Sequence, residues 1–302
     1  MMKPTNNALP RAEATRRDFL QWTAAAAASL ACTAGGSTAA AGGSAPTAAE
    51  AQAAFQAAHR CRLKLGIASY SFRKFSLEKA LAMTKRAGLP YVCLKSFHLP
   101  LTATPEEIAA AAKRVADAGL VLYGCGVITM HRPADVEQAF EYAKAAGMKV
   151  IVAMPTAEML PLVQEKIRQY DIRVAIHNHG PGDKNFPTPQ SVYEKIKDLD
   201  RRLGLCIDIG HTVRVGADPL RSVEDYGDRL LDFHMKDVTE ASPKGHEIQV
   251  GRGIIDIPAL LRALLKVKYD GVLSFEYEPE DNDPLPGLCE SVGYTRGVLA
   301  AM

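Results

Sequence analysis

The chain has 302 residues, a formal net charge of +2, 47% apolar and 23% charged side chains. That is the profile of an ordinary soluble globular protein, and it excludes a disordered chain, a collagen-like chain and a multi-span membrane protein. With no basic excess, there is no electrostatic case for a nucleic-acid partner.

The N-terminus reads separately from the rest. Residues 15–21 are TRRDFLQ: Arg16-Arg17 are followed by Phe19-Leu20, then by an Ala-dominated apolar run over 22–33. That run is too short and too mild to anchor in a bilayer. Small residues follow, with Ala39-Ala40-Ala41 as the expected cleavage site. The order resembles a twin-arginine signal, which is read by a machinery that exports folded proteins. The alternative is a disordered Ala-rich tail. The expected division is a signal at 1–41, a lead-in at 42–62 and a barrel at 63–302. Export to the periplasm follows, with no stable membrane anchor, because Cys32 after Ser29-Leu30-Ala31 is a poor lipoprotein box. Cleavage leaves roughly 260 residues, the length of one α/β barrel, with a net charge near zero.

Five cysteines remain after cleavage: Cys61, Cys93, Cys125, Cys206 and Cys289. The number is odd, no CxxC pair occurs, and three lie in apolar strand-like runs. Buried free thiols are expected rather than a disulfide framework or a zinc knuckle.

Eight apolar strand-like runs follow in chain order, at 63–72, 91–96, 121–128, 149–154, 173–179, 205–209, 230–236 and 272–277. Near-continuous Val, Ile, Leu and Cys suits parallel strands covered by helices. Amphipathic helical runs lie between them. Thr104-Pro105, Thr188-Pro189 and Asp218-Pro219 are cap-then-Pro starts; Ala87-Gly88, Ala118-Gly119 and Ala146-Gly147 are stops just before strands. Eight βα units in this length predict a (β/α)8 TIM barrel. A doubly wound sheet is the runner-up, but the turn after the first strand, Tyr70 to Lys74, lacks its phosphate-binding glycines.

A barrel places chemistry at the C-terminal ends of its strands. His98 follows the second strand, His177 and His179 end the fifth, His211 follows the sixth and His234 lies near the end of the seventh. Only His131, after the third, is expected to point away. Asp208 ends the sixth strand and Glu276 the eighth. Alternation puts His177 and His179 on one face. Two His, one Asp and one Glu converging on the mouth suit one divalent metal with open positions that polarises a carbonyl. Each residue also has a plain structural reading: a hydrogen-bonded scaffold His, a helix-capping Asp208, a Glu276 that belongs to an acidic loop with Glu278, Glu280, Asp281 and Asp283. The combination favours the metal, because each buried charge is costly without a partner.

Four motifs, VAIHNHG, CIDIGH, FHMKD and LSFEYE, on the fifth to eighth strands, together with GRGIID, resemble the sugar phosphate isomerase/epimerase group of xylose isomerase-like TIM barrels. The likeness covers residues 63 to about 300. It implies one metal, Mn2+ first, with Zn2+, Co2+, Fe2+ or Mg2+ as alternatives. The ligands carried over are Asp208, His234 and Glu276, with His177 at the strand-five position where the group usually has Glu. It also implies His179 and His211 near the substrate. The His at 177 departs from the pattern: epimerases of the group use two metal-bound glutamates as opposed bases, and a metal-bound His is a poor proton acceptor. The His-Asn-His form is similar to keto-inositol dehydratases of the superfamily. The resulting expectation is a sugar enzyme that removes a proton α to a ketone and leans to β-elimination from a keto-sugar or keto-polyol, such as a 3-keto-glycoside or keto-inositol. A ketose epimerase or isomerase and a non-catalytic sugar-binding barrel are the alternatives. Glu276 or His211 is the base, and Lys236 or Lys95 stabilises charge or assists departure of the leaving group; a lysine snorkelling at the rim is the plain reading of Lys95. His98, His179, Arg252 and Tyr70 are expected substrate contacts, Arg252 alternatively pairing with Asp237. Tyr70, Phe72, Phe97 and Tyr277 are the aromatic candidates for stacking on a sugar. The apurinic endonuclease branch shares the spacing of Asp208 and His211, but the third strand lacks its extra ligands. The expected partner is a small sugar, not nucleic acid, and the reading leaves room for an oligomer.

Overall fold

A computed structural model describes residues 63–302; the expected signal at 1–41, the expected lead-in at 42–62, Cys32 and Cys61 lie outside the described residues. Eight parallel strands close into one barrel. They are β1 (Lys64–Ala68), β2 (Tyr91–Leu94), β3 (Val121–Met130), β4 (Val150–Pro155), β5 (Arg173–His177), β6 (Leu203–Asp208), β7 (Leu230–Met235) and β8 (Val272–Phe275). Closure comes from β1 pairing with β8, with Ile67 opposite Phe275. The TIM barrel expectation holds.

Nine helices surround it among the described residues: α1 (Leu77–Arg86), α2 (Pro105–Asp117), α3 (Pro133–Ala145), α4 (Leu160–Tyr170), α5 (Pro189–Ile196), α6 (Ile209–Arg214), α7 (Pro219–Tyr226), α8 (Ile257–Lys266) and α9 (Leu285–Ala300). No helix among them is long and apolar enough to cross a membrane. The local signals act as read. Thr104 and Glu107 form a reciprocal capping box at α2, with Pro105 in its first turn. Thr188 and Asp218 cap α5 and α7 in the same position before a Pro.

Alternation sorts each strand into two faces. Ile151 and Ala153 on β4 join the large apolar layer between strands and helices, whereas Val150 and Val152 join Cys93, Tyr123, Ala175, Cys206 and Val272 in a smaller cluster in the lumen. Cys93, Cys125 and Cys206 are buried free thiols and Cys289 is a half-buried one. Strand limits differ where chemistry intervenes. β1 stops at Ala68, and Ser69–Phe72 is a 3-10 turn. β6 stops at Asp208, whose side chain caps α6, so Ile209 is already helical. β3 runs to Met130 through a bulge between Cys125 and Ile128, where a Cβ on Gly126 would meet the Val152 carbonyl at 2.1 Å. A hairpin, Asp237–Val238 with Glu247–Ile248, follows directly after β7 and has no signal in the apolar pattern.

Candidate active site

The side chains of His177, Asp208, His234 and Glu276 meet at the C-terminal mouth of the barrel. They come from the ends of four consecutive strands, and all four are buried. His177 Nε2 lies 3.1 Å from His234 Nδ1 and 3.5 Å from Asp208 Oδ2. His234 Nδ1 is 3.2 Å from Glu276 Oε2 and 3.9 Å from Asp208 Oδ2. Donors around a cation at about 2.1 Å stand about 3.0–3.4 Å apart; the two contacts of His234 Nδ1 at 3.1 and 3.2 Å have that spacing, and the two approaches to Asp208 Oδ2 at 3.5 and 3.9 Å are wider. Asp208 Oδ2 and His234 Nε2 are buried without a hydrogen-bond partner. Two imidazoles and two carboxylates with an orphaned oxygen among them fit a divalent transition metal.

Local structure explains how Asp208 is held. Its Oδ1 accepts the His211 N–H at 2.8 Å and caps α6, while Oδ2 turns into the site. Oδ1 thus makes the cap and leaves Oδ2 on the side of the site. Asn178, between the two histidines of VAIHNHG, clamps the same turn: its Oδ1 accepts the Asp208 N–H at 3.0 Å, and its Nδ2 donates to the Asp208 carbonyl and to Thr212 Oγ1. The fold also needs a glycine at 180, where φ is +73° and a Cβ would stand 2.9 Å from that of His211.

One ammonium sits among the carboxylates. Lys236 Nζ is 3.0 Å from Glu276 Oε2, 3.3 Å from Asp208 Oδ2 and 3.8 Å from Glu247 Oε2, and it bonds Glu278. Burial works against charge on Asp208, but the charges of His211 and Lys236 and the neighbouring His177 ring outweigh it and hold the carboxyl well below its usual range. Glu276 is likewise held low, burial being outweighed by Lys236 and His234. Lys236 is held well above the usual lysine range, because Asp208, Glu276, Glu247 and Glu278 outweigh its desolvation. Burial dominates at Glu247 and pushes its carboxyl well up. Burial also brings His177 down to about 3, so its ring is neutral and free to ligate.

Beside this cluster lies a cavity of about 240 Å³ lined by Tyr70, Lys95, Val127, His177, His179, His211, Glu276 and Glu278. Lys95 Nζ donates to the Val127 carbonyl, at the β3 bulge, at 3.1 Å and stands 5.7 Å from the Tyr70 ring centre. Burial lowers its pKa, partly offset by Glu276. It is therefore a cavity lysine rather than one snorkelling to solvent. A second cavity of about 330 Å³ shares His211 and Glu278 and adds Lys236, Glu247, Arg214 and His246.

His98, Arg252, Phe72 and Tyr277 do not line either cavity. His98 is buried with both ring nitrogens engaged, Nδ1 with Ser69 Oγ at 2.9 Å and Nε2 with the Phe75 carbonyl at 3.1 Å. Ser69 Oγ in turn accepts the Lys95 N–H at 2.7 Å, so His98 braces the loop that carries Lys95. Arg252 is exposed and paired with Glu290 on the outside. The Asp237 carboxylate, its other suggested partner, accepts the N–H groups of Val238, Gly251, Gly253 and Ile255 and folds the GRGIID loop. Phe72 and Tyr277 are buried, and of the four aromatic candidates Tyr70 lines the cavity, with Phe97 6.0 Å from it. Glu247 went unread because it sits on the unexpected hairpin. Glu278 carries a signal, two residues after Glu276 and hence on the same face of an extended chain, beside its plain reading as part of the acidic loop.

Residues 47–296 match the xylose isomerase-like TIM barrel family. The chain belongs to that family. Among curated relatives, the inosose isomerase of Bacillus subtilis (strain 168) is 26% identical over 162 residues, which is 46% of this chain and 58% of that protein. The matched segments thus span about half the length of such relatives. Among solved structures, the IOLI protein with a bound zinc superposes with a TM-score of 0.67 at 18% identity, covering 79% of this chain and 99% of its own. The 3-keto-D-glucoside 4-epimerase from E. coli gives 0.65 at 17% identity, covering 78% and 99%. At such identities the structural likeness shows the fold.

Proposed function

We propose that the protein is a metal-dependent sugar enzyme that removes a proton α to the carbonyl of a keto-sugar or keto-polyol and completes a β-elimination. The observation that carries this is the convergence of His177, Asp208, His234 and Glu276 at 3.1–3.9 Å beside a cavity lined by the half-buried Lys95. Those four residues would hold one divalent metal, with Mn2+ the first candidate and Zn2+ consistent with the zinc-bound relative. When bound, it supplies Lewis-acid polarisation of the ketone. The names of the inosose isomerase and the 3-keto-D-glucoside epimerase support a ketone-bearing carbohydrate.

The chain's own residues divide the work. Glu276, held anionic by Lys236 and His234, takes the α-proton; His211, in the walls of both cavities, is the other base in reach. The C–H electron pair becomes the new C=C bond, and the β C–O bond breaks. Lys95, desolvated and lined up on the cavity wall, gives the departing oxygen its proton. Lys236 balances the negative charge that grows on the ketone oxygen. His179 and Tyr70 contact the sugar. Elimination is favoured over epimerisation because the strand-five position offers an imidazole where a second carboxylate base would be needed. The resemblance of residues 15–33 to a twin-arginine signal supports export to the periplasm, where an unphosphorylated sugar is the natural substrate class.

Two measurements check this. Manganese- or zinc-loaded protein, incubated in D2O with methyl 3-keto-glucoside or a keto-inositol, is expected to release the β-group and form the enone, followed by NMR and ultraviolet absorbance. Glu276→Gln is expected to slow this by about 10²–10⁴-fold. Deuterium at the α-carbon without loss of the β-group would favour an epimerase; bound sugar with neither change would favour a non-catalytic barrel; no metal uptake would overturn the reading. Separately, Arg16→Lys with Arg17→Lys is expected to leave the protein in the cytoplasmic fraction.

A further inference from the structure

The ring of His177 has a contact on each nitrogen. Nε2 faces His234 Nδ1 and Asp208 Oδ2, and Nδ1 faces His179 Nδ1 at 3.1 Å. His179 is fixed by its backbone N–H to the Phe186 carbonyl at 3.1 Å, and its ring stacks on His211 with centres 5.6 Å apart and planes 25° apart. The same ring lines the 240 Å³ cavity.

A neutral imidazole carries one proton, and the nitrogen that ligates a metal is the one without it. If His177 ligates through Nε2, its proton is on Nδ1, and the group facing that proton is His179 Nδ1. A neutral ring that accepts at Nδ1 carries its own proton on Nε2. One hydrogen bond therefore sets the tautomer of two histidines. A carboxylate at position 177 would need no such partner, because both its oxygens accept.

Resting on the metal reading above, we propose that His179 is a positioning residue for the metal site. Its Nδ1 accepts the His177 Nδ1–H, which holds His177 in the ring plane and tautomer that ligate through Nε2. In the same arrangement His179 keeps its Nε2–H as a hydrogen-bond donor for sugar oxygens in the cavity.

The test compares His179→Ala with His179→Asn. The Asn Oδ1 takes the place of the imidazole Nδ1 and accepts the same proton, but nothing replaces Nε2–H. Zn2+ affinity of the full-length protein is measured by competition with a chromophoric chelator, with a thermal melt of each variant beside it. His179→Ala is expected to weaken zinc binding by about 10–100-fold, and His179→Asn to stay within about threefold of the parent. Nitrogen-15 spectra of the zinc-loaded parent should show protons on His177 Nδ1 and His179 Nε2. Parent protein that binds zinc while His179→Ala binds it equally well overturns this inference alone. So does a His179→Asn variant as weak as His179→Ala with an unchanged melt. Parent protein that takes up no metal overturns the metal reading, and this inference with it.

Discussion

Asp208→Ala is expected to abolish metal binding, from about one divalent ion per chain to none, and turnover with it. The change removes the one ligand whose second oxygen also builds the site: Oδ1 caps α6 through His211, and Oδ2 stands among His177, His234 and Lys236. Elemental mass spectrometry on parent and variant checks it. A variant that keeps its metal would show that Asp208 is a cap and an ion-pair partner only. The pH dependence of the parent follows from the same geometry. Burial opposes charge on His234, but Glu276, Asp232 and Asp208 outweigh it and raise its pKa above the ordinary histidine value. With no metal bound, His234 therefore holds its proton to higher pH than a free histidine, and a ligand nitrogen must lose that proton. Metal affinity should fall as pH drops through the raised His234 pKa, by up to about tenfold per pH unit for one displaced proton. Chelator competition across pH 5–8 measures that slope, and a flat profile would contradict it.

Lys236→Met should produce the largest loss of stability. The side chain is 3% exposed and, among the described residues, is the one ammonium within 4 Å of Asp208, Glu276, Glu247 and Glu278. Removing one partner from a buried charge cluster costs about 3–5 kcal/mol, because the carboxylates stay buried without compensation. For a domain of this size that lowers the melting temperature by roughly 10 °C. The sign with pH is fixed by the carboxyls. In the parent, Asp208 and Glu276 are depressed, so their contribution is present above the unfolded carboxylate range and is lost as pH falls through the depressed folded values. Without Lys236 those values rise. The deficit of the variant should be larger at pH 7 than at about pH 4. The unfolded carboxyls are the same in both proteins and cancel, so the deficit shrinks as pH falls through the variant's raised folded values and vanishes below the parent's depressed ones. A divalent ion, by neutralising Asp208 and Glu276, should recover part of the loss at pH 7. Scanning calorimetry with and without Mn2+ decides it; a variant that melts like the parent in both conditions would show that the carboxylates are already neutral.

The two variants separate roles that share one cluster. Asp208→Ala removes a ligand and leaves Lys236 three other carboxylates; Lys236→Met leaves every ligand in place and removes the counter-charge. Loss of metal in the first with retention in the second would assign the site to the four strand-end residues.

Much of this protein was legible in its sequence because the signals are local or periodic. Continuous apolar runs at regular spacing, Thr-Pro and Asp-Pro starts and Ala-Gly stops dictate eight βα units, and position at the C-terminal ends of parallel strands puts His177, Asp208, His234 and Glu276 at one end of the barrel. What no local pattern carries is which of several nearby polar groups a side chain will choose. His98 and Arg252 have the right residue types near the right strand ends, yet Ser69 and Phe75 claim the first and Glu290 the second. Glu247 reaches Lys236 only because Asp237 gathers four backbone N–H groups and folds a loop back over β7. The contact between His177 and His179, two residues apart, depends on how the chain turns after β5. Periodicity determines which face and which end of the barrel a residue occupies. The tertiary structure decides its partner, because hydrogen bonds and ion pairs are set by distances between elements that are remote in the chain.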